Sequence, residues 1–236
     1  MILRTFIAID LPAPLHEAIR ATQAALAQEL DARLPTQATP EAAGLHWTHP
    51  ESTHLTLRFI GDTPTDKIQP LAHALQSALA TMPPLVLQLR GLGCFPNLRR
   101  PRVIWLGLNG QLEQLAALQS AVEDVVRAAG FAPETQPYQP HLTLARTIRA
   151  VRPAQLARLG EVLGELRAGD MRAGNMQAGD SPFVQPVGAA FTVSEVIHFQ
   201  SELPGGKQGS KQERGPRQRR GLPVYTPLTR VSLASA

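Results

Sequence analysis

An α+β protein of two related lobes is predicted by three observations. Strand-like windows, β-branched and aromatic or alternating polar with apolar, are interleaved with helix-like windows that carry one apolar stripe. The order of strand, turn and helix recurs in the second half of the chain. The tetrapeptide His-Leu-Thr-Leu occurs twice, at 54–57 and 141–144, at the same place in that order. The repeat predicts two lobes facing each other across a pseudo-twofold axis.

Residues 2–9 (ILRTFIAI) read as a strand, punctuated by Pro12 and Pro14. Residues 15–30 place Leu15, Ile19, Leu26 and Leu30 on one face, with Thr22 interrupting the stripe, and read as a helix. The stretch 31–52 reads as an irregular connection. Residues 53–60 (THLTLRFI) alternate as a half-buried strand should, and Gly61-Asp62-Thr63-Pro64 reads as its end. A second helix is predicted over 66–79, where Pro70 is tolerable because it falls near the first turn. Strands follow at 85–92 and 102–108, then a strongly striped helix at 112–129. The second half gives a short strand at 141–146 and a helix from Pro153 to about Leu166. Residues 167–180 (RAGDMRAGNMQAGD) repeat an Ala-Gly-polar unit and read as a flexible insertion. Residues 191–199 read as one strand and 224–231 as another, weakened by Pro227.

The chain has 236 residues, of which 43% are hydrophobic, so it can bury a proper core as a single two-lobed domain spanning 1–236. Its one cysteine, Cys94, excludes an internal disulfide framework. The apolar run in MILRTFIAID is too short for an export signal, and no stretch approaches a membrane helix of about 20 apolar residues. A cytoplasmic monomer is the expectation. The net charge is +4 and the pI about 9.8, which favours a polyanionic partner. Much of that excess is local. Residues 207–220 hold Lys207, Lys211, Arg214, Arg217, Arg219 and Arg220 against Glu213, and read as a solvated loop between two neighbouring strands, with an RNA-backbone contact as the functional alternative.

The repeated tetrapeptide carries the chemistry. In a strand, residues i and i+2 share a face. His54 and Thr56 therefore look one way and Leu55 and Leu57 the other; His141 and Thr143 are related in the same way to Leu142 and Leu144. The leucines can pack inward while the polar pairs face a cleft. Two imidazoles and two hydroxyls suit the opening of a cyclic phosphodiester by in-line attack. One group takes a proton from water, another gives one to the leaving oxygen opposite, and histidine serves both roles. The threonine hydroxyls can donate to the non-bridging oxygens. A lone His-Leu-Thr-Leu means little. Two identical copies, each with an arginine close behind (Arg58, Arg146), are far less expected by chance.

A metal site is the rival reading, because histidine pairs bind zinc. There is no cysteine pair and no HExxH spacing, Glu51 has the wrong parity to face with His54, and Asp62 lies beyond the Gly61 turn. No metal or cofactor is therefore expected. A Gly-x-Ser-x-Gly elbow and a Walker A sequence are both missing. His16 and His73 read as exposed helix residues, His46 and His49 as surface residues of the irregular segment with the cleft edge as the alternative, and His198 as a strand residue of either environment.

These residues resemble the two-histidine phosphoesterase superfamily, in particular the RNA 2′,3′-cyclic phosphodiesterases also described as 2′-5′ RNA ligase-like proteins. The segments that carry the resemblance are RTFIAID (4–10), HLTLRFIG (54–61), PRVIWLGL (101–108), YQPHLTLAR (138–146), FTVSEVIHFQSEL (191–203) and PVYTPL (223–228). They run nearly end to end. The resemblance implies antiparallel sheets flanked by helices around a central cleft. It also implies metal-independent hydrolysis of RNA or nucleotide 2′,3′-cyclic phosphate ends to 2′-phosphomonoesters. Carried over, His54 is the proton donor to the leaving oxygen and His141 the acceptor from water, with Thr56 and Thr143 on the phosphate. Arg146 and Tyr138, beside the second motif, are the expected charge-pairing and base-stacking residues. End-joining through a 2′-5′ linkage and RNA-end binding without catalysis are the alternatives. The segments 167–180 and 205–221 look longer than is usual in the family, and a basic loop near the cleft would favour RNA ends over mononucleotides.

Overall fold

The computed structural model describes residues 1–34, 44–148, 151–173, 187–202 and 223–234. In chain order the elements are β1 (Ile2–Ile9), α1 (Ala13–Arg33), β2 (Leu45–Trp47), β3 (Leu55–Pro64), α2 (Ile68–Leu79), β4 (Leu85–Phe95), β5 (Val103–Gly110), α3 (Leu112–Ala128), β6 (Leu142–Thr147), α4 (Pro153–Ala173), β7 (Val187–Val193), β8 (Glu195–Glu202) and β9 (Val224–Ser232). They form two antiparallel sheets, one ordered β3-β1-β8-β9 and the other β2-β6-β5-β4-β7. The predicted α+β class is the one found. Among the described residues no helix is long and apolar enough to cross a membrane.

The helices cover one face of each sheet. Helices α1 and α4 pack on β7 and β4, and α2 and α3 on β9 and β3. The stripe read from α1 is the buried one, Leu15, Ile19, Leu26 and Leu30. Thr22 is buried with them because its hydroxyl donates to the Ala18 carbonyl at 2.8 Å, so no polar group is stranded. Pro14 sits in the first turn of α1, where its missing N–H is not needed. One large core joins these layers. A small second cluster, Phe6, Ala8, Ile197 and Phe199, lies on the opposite face of the four-stranded sheet with Tyr225 against it.

The two sheets share a plan. Strand β3 pairs with β1 and β6 with β5, so each His-Leu-Thr-Leu strand lies antiparallel to an earlier strand. The next neighbours, β8 and β4, correspond in turn, as do β9 and β7. Strand β2, at the edge of the second sheet, has no counterpart in the first among the described residues.

Several boundaries differ from the sequence reading. Strand β3 does not end at Gly61-Asp62-Thr63-Pro64 but runs through it to Pro64. Gly61 takes φ +87° there, beside a register shift opposite Thr5 and Phe6, so the glycine makes a bulge instead of a terminating turn. The predicted strand 191–199 is two strands. The break falls at Ser194, and β7 and β8 belong to different sheets. The connection 31–52 contains β2 and a 3₁₀ turn at Pro50–Ser52. Helix α4 continues to Ala173, so the first part of the predicted 167–180 insertion is helical. The rest of that segment, and the 205–221 loop, lie outside the described residues.

Candidate active site

The two sheets enclose a cleft of about 580 Å³. His54, Thr56, His141, Thr143 and Arg146 all line it. The alternation expected for each motif is present: Leu55, Leu142 and Leu144 are fully buried and Leu57 nearly so, while the His and Thr of each copy are half-buried at the cleft.

Each histidine stands immediately before its strand and is held in the same way. His54 Nδ1 lies 3.0 Å from the Ser52 carbonyl, and His141 Nδ1 lies 2.7 Å from the Gln139 carbonyl, in both cases two residues upstream. A carbonyl only accepts, so Nδ1 carries the proton in each ring. The neutral imidazole then has its lone pair on Nε2, free for a proton on substrate or water. The Ser52 carbonyl is presented by the Pro50–Ser52 turn, which is closed by Thr53 N–H donating to the Pro50 carbonyl at 3.0 Å.

Aromatic rings fix both imidazoles. Phe6 stacks on His54 at 4.7 Å and Tyr225 meets it edge-on at 5.0 Å. Phe95 meets His141 edge-on at 4.8 Å, and Trp105 lies 6.2 Å away. Gly93, paired with Trp105 across β4–β5, is required by this packing: a Cβ there would come within 2.2 Å of the indole ring. Burial lowers the pKa of both histidines below 6.5. The carbonyl hydrogen bonds oppose that shift, and the Arg146 guanidinium adds to it for both rings. Only His54 also feels a carboxylate, Asp10, which favours its charged form.

Both motif strands share an irregularity, and the two arginines stand at different positions beyond it, Arg58 four residues after His54 and Arg146 five after His141. On β3, Ala8 pairs with Thr56 and Ile7 with Arg58, which leaves Leu57 as an extra residue. On β6, Trp105 pairs with Thr143 and Ile104 with Ala145, which leaves Leu144 as the extra residue. Both bulges therefore fall on the fourth residue of the motif and reverse which side later residues face. The first turns Arg58 into the core, where it is 7% exposed and bonds to Glu123 and the Phe59 and Ala132 carbonyls. The second turns Arg146 into the cleft. The two arginines are thus not equivalent, and Phe59 is the true counterpart of Arg146. Gln23 on α1 secures the second bulge by donating to the Leu144 carbonyl at 2.9 Å and the Thr48 carbonyl at 2.7 Å.

Tyr138 is not in the cleft. Its ring packs on the main core, and its buried hydroxyl has no hydrogen-bond partner among the described residues. Burial pushes that hydroxyl's pKa well up. The aromatic residues that line the cleft are Phe6, Trp47, Tyr225 from β9, and Phe59, which is 42% exposed beneath the Arg4 guanidinium at 4.7 Å. Sequence spacing gives no access to Tyr225, which arrives by pairing with Ser201 across β8–β9. Its segment was visible only as part of the resemblance. His46 and His49 are exposed and at the same time line the cleft, so both readings of them hold. His198 is fully buried on the core side of β8. Ser201 and Pro223, which flank the undescribed basic segment, also line the cleft.

No carboxylate lines the cleft among the described residues, whereas Arg4, His46, His49, His54, His141 and Arg146 all do. Nor does any cluster of three or more potential metal ligands occur among them. The arrangement suits an anionic ligand gripped between two imidazoles, two hydroxyls and a guanidinium.

Comparison with known proteins agrees with this geometry. A protein named RNA 2′,3′-cyclic phosphodiesterase from Methanothermobacter thermautotrophicus is 32% identical over 167 residues, covering 71% of this chain and 82% of that one. A protein of the same name from Aeropyrum pernix is 37% identical over 121 residues, 50% of this chain and 66% of that one. The match to a third, from Geobacillus stearothermophilus, spans 34% of its length. The chain thus spans less than two thirds of these last two relatives. Among solved structures, E. coli LigT complexed with 3′-AMP superposes with a TM-score of 0.63 at 24% identity, covering all of both chains, which supports the fold. The family model described as the 2′-5′ RNA ligase superfamily matches residues 24–168, a span that contains both His-Leu-Thr-Leu motifs and the bulges that follow them. The chain belongs to the 2′-5′ RNA ligase superfamily.

Proposed function

We propose that the protein is an RNA 2′,3′-cyclic phosphodiesterase that works without metal, and that both lobes act as one domain around a single site. The observation that carries this reading is the pair of imidazoles held alike by Nδ1 on opposite walls of one cleft that no carboxylate lines among the described residues. Water attacks phosphorus as His141 Nε2 removes its proton. The bond from phosphorus to the 3′ oxygen breaks on the far side, and His54 Nε2 protonates that oxygen. The product is a 2′-phosphomonoester. Thr56 and Thr143 donate to the non-bridging oxygens, and Arg146 offsets the charge that concentrates there. The Asp10 carboxylate acts on His54 and supports its being the ring that holds the proton. The anionic phosphate, once bound, raises the pKa of both rings, so the preference for His54 as the protonated one rests on Asp10. Tyr225 and Phe59 offer the base its aromatic surface.

The test is an assay in EDTA on a short RNA ending in a 2′,3′-cyclic phosphate, resolving 2′- from 3′-phosphate product. Clean conversion to the 2′-phosphate is expected. A 3′-phosphate product would reverse the scissile bond, and a requirement for added metal would overturn the mechanism. End-joining uses the same groups with an RNA 5′-hydroxyl in place of water, and would be seen as a longer product. Binding with a steep salt dependence and no opening of the ring would reduce the site to an RNA-end grip.

A further inference from the structure

The segment that orients His54 is fastened to the other half of the molecule. Strand β2 pairs with β6, in the sheet of the second motif. The Thr48 N–H extends that ladder by donating to the Leu144 carbonyl at 2.9 Å. The chain then turns at Pro50–Ser52 and enters β3, in the sheet of the first motif. The turn is built on the His49 carbonyl, which accepts from the Ser52 N–H at 2.9 Å and from the Thr53 hydroxyl at 3.2 Å. At its end the Ser52 carbonyl receives His54 Nδ1. One side chain holds these parts together. Gln23 on α1 is 8% exposed and lies outside the cleft lining. Its amide nitrogen carries two protons. One goes to the Thr48 carbonyl at 2.7 Å and the other to the Leu144 carbonyl at 2.9 Å. Leu144 is the extra residue of the bulge in the second motif, and Thr48 stands just ahead of the turn. Arg20, one helical turn earlier on α1, bonds to Glu51 inside the turn. The helix therefore holds the segment at two points, and one of them is shared with the strand of the second motif.

Resting on the hydrolase reading above, we propose that Gln23 is a positioning residue for His54: by tying the Thr48 carbonyl to the Leu144 carbonyl, it fixes the first imidazole against the strand that carries the second. Gln23 touches neither the substrate nor the reacting atoms. Its effect reaches the reaction through the Ser52 carbonyl, which sets the plane of the His54 ring and keeps the proton on Nδ1. A shift of that ring on the order of 1 Å leaves the substrate bound but spoils the alignment of Nε2 with the oxygen it serves. The loss then falls on kcat and not on KM.

The experiment is a double-mutant cycle on the opening of a short RNA ending in a 2′,3′-cyclic phosphate, with kcat expressed per folded protein. Gln23→Met keeps the length of the side chain and removes both donors. It should lower kcat about tenfold, with KM within about twofold of wild type. In a His54→Ala background the same substitution should change kcat by less than about twofold, because the ring it positions is gone. Arg20→Ala, at an exposed site, frees the same turn from its other hold. It should lower kcat about threefold, again only while His54 is present. If Gln23→Met does not fold, Arg20→Ala carries the same cycle. Full kcat in Gln23→Met overturns the positioning role. So does an equal fold-loss with and without His54, which is what a purely structural glutamine gives. If the wild type opens no cyclic phosphate at all, the hydrolase reading itself fails and the positioning role falls with it.

Discussion

His54 and His141 are held by the same device, a carbonyl two residues upstream on Nδ1, and each is followed by a strand that bulges at the fourth residue of its motif. Their surroundings differ. The His54 wall is a stacked aromatic floor of Phe6, Phe199 and Tyr225, with Asp10 near enough to favour the protonated ring. The His141 wall has Phe95 and Trp105, no carboxylate acting on the ring among the described residues, and the added strand β2 with His46. A duplicated frame thus supplies two groups in matching geometry, and what packs around them makes the two rings inequivalent. The same comparison separates the arginines. Beyond the same bulge, Arg58 four residues after His54 turns to the core and Arg146 five residues after His141 turns to the cleft.

The largest expected effects come from removing either imidazole. His54→Ala and His141→Ala should each lower kcat about 10²- to 10⁴-fold on the cyclic substrate, with the fold retained by circular dichroism. Near-wild-type turnover in either variant would break the equivalence of the two halves as proton-transfer sites.

The arginine pair sharpens the comparison. Arg146→Ala should reduce kcat/KM about 10- to 100-fold while leaving the melting temperature close to wild type, because it has no structural partner among the described residues. Arg58→Ala should do the reverse. It leaves Glu123 half-enclosed without its partner and should cost about 3–5 kcal/mol in urea unfolding, with the folded fraction still active. If Arg58→Ala lost activity without losing stability, the assignment by bulge would be wrong.

The smallest effect concerns His198, on the core side of the His54 sheet. It is fully buried, neither ring nitrogen has a hydrogen-bond partner among the described residues, and burial lowers its pKa from 6.5 to about 4. A neutral ring in the folded state and a protonated one in the unfolded chain mean that the unfolded chain binds more protons between those values. Stability is therefore fully present above pH 6.5 and falls as pH drops towards 4, by up to about 3 kcal/mol. His198→Leu should remove most of this loss, read as the difference between urea midpoints at pH 7 and pH 4.5. An unchanged difference would assign the acid sensitivity elsewhere.

Much of the frame was legible because it is local. The face shared by His54 and Thr56, and by His141 and Thr143, follows from the two-residue period of a strand. The stripe of α1 follows from helical spacing. What escaped depends on pairing. Strand β2 has only three residues, Leu45–Trp47, too few to show a period, and it exists because β6 offers an edge. The windows around Gly61 and Ser194 were misread because a bulge or a change of sheet does not alter β-propensity. Residues 167–173 are helical although their Ala-Gly-polar pattern read as an insertion, since glycine weakens a helix without forbidding one. The same limit applied to the site. Closeness to the motif made Arg58 and Arg146 look alike although they stand one residue apart in its count, and adjacency made Tyr138 look like a cleft residue, whereas Tyr225 lines the cleft from a strand more than 80 positions away from the second motif.

The measurement that bears most directly on the division of tasks is turnover of a cyclic substrate whose 3′ bridging oxygen is replaced by sulfur. A thiolate leaves without needing a proton, so the general acid becomes dispensable while the general base does not. His54→Ala should recover most of its lost rate on this substrate and His141→Ala should not. Recovery by His141→Ala alone, or by both variants equally, would contradict the assignment of the acid to the His54 half of the cleft.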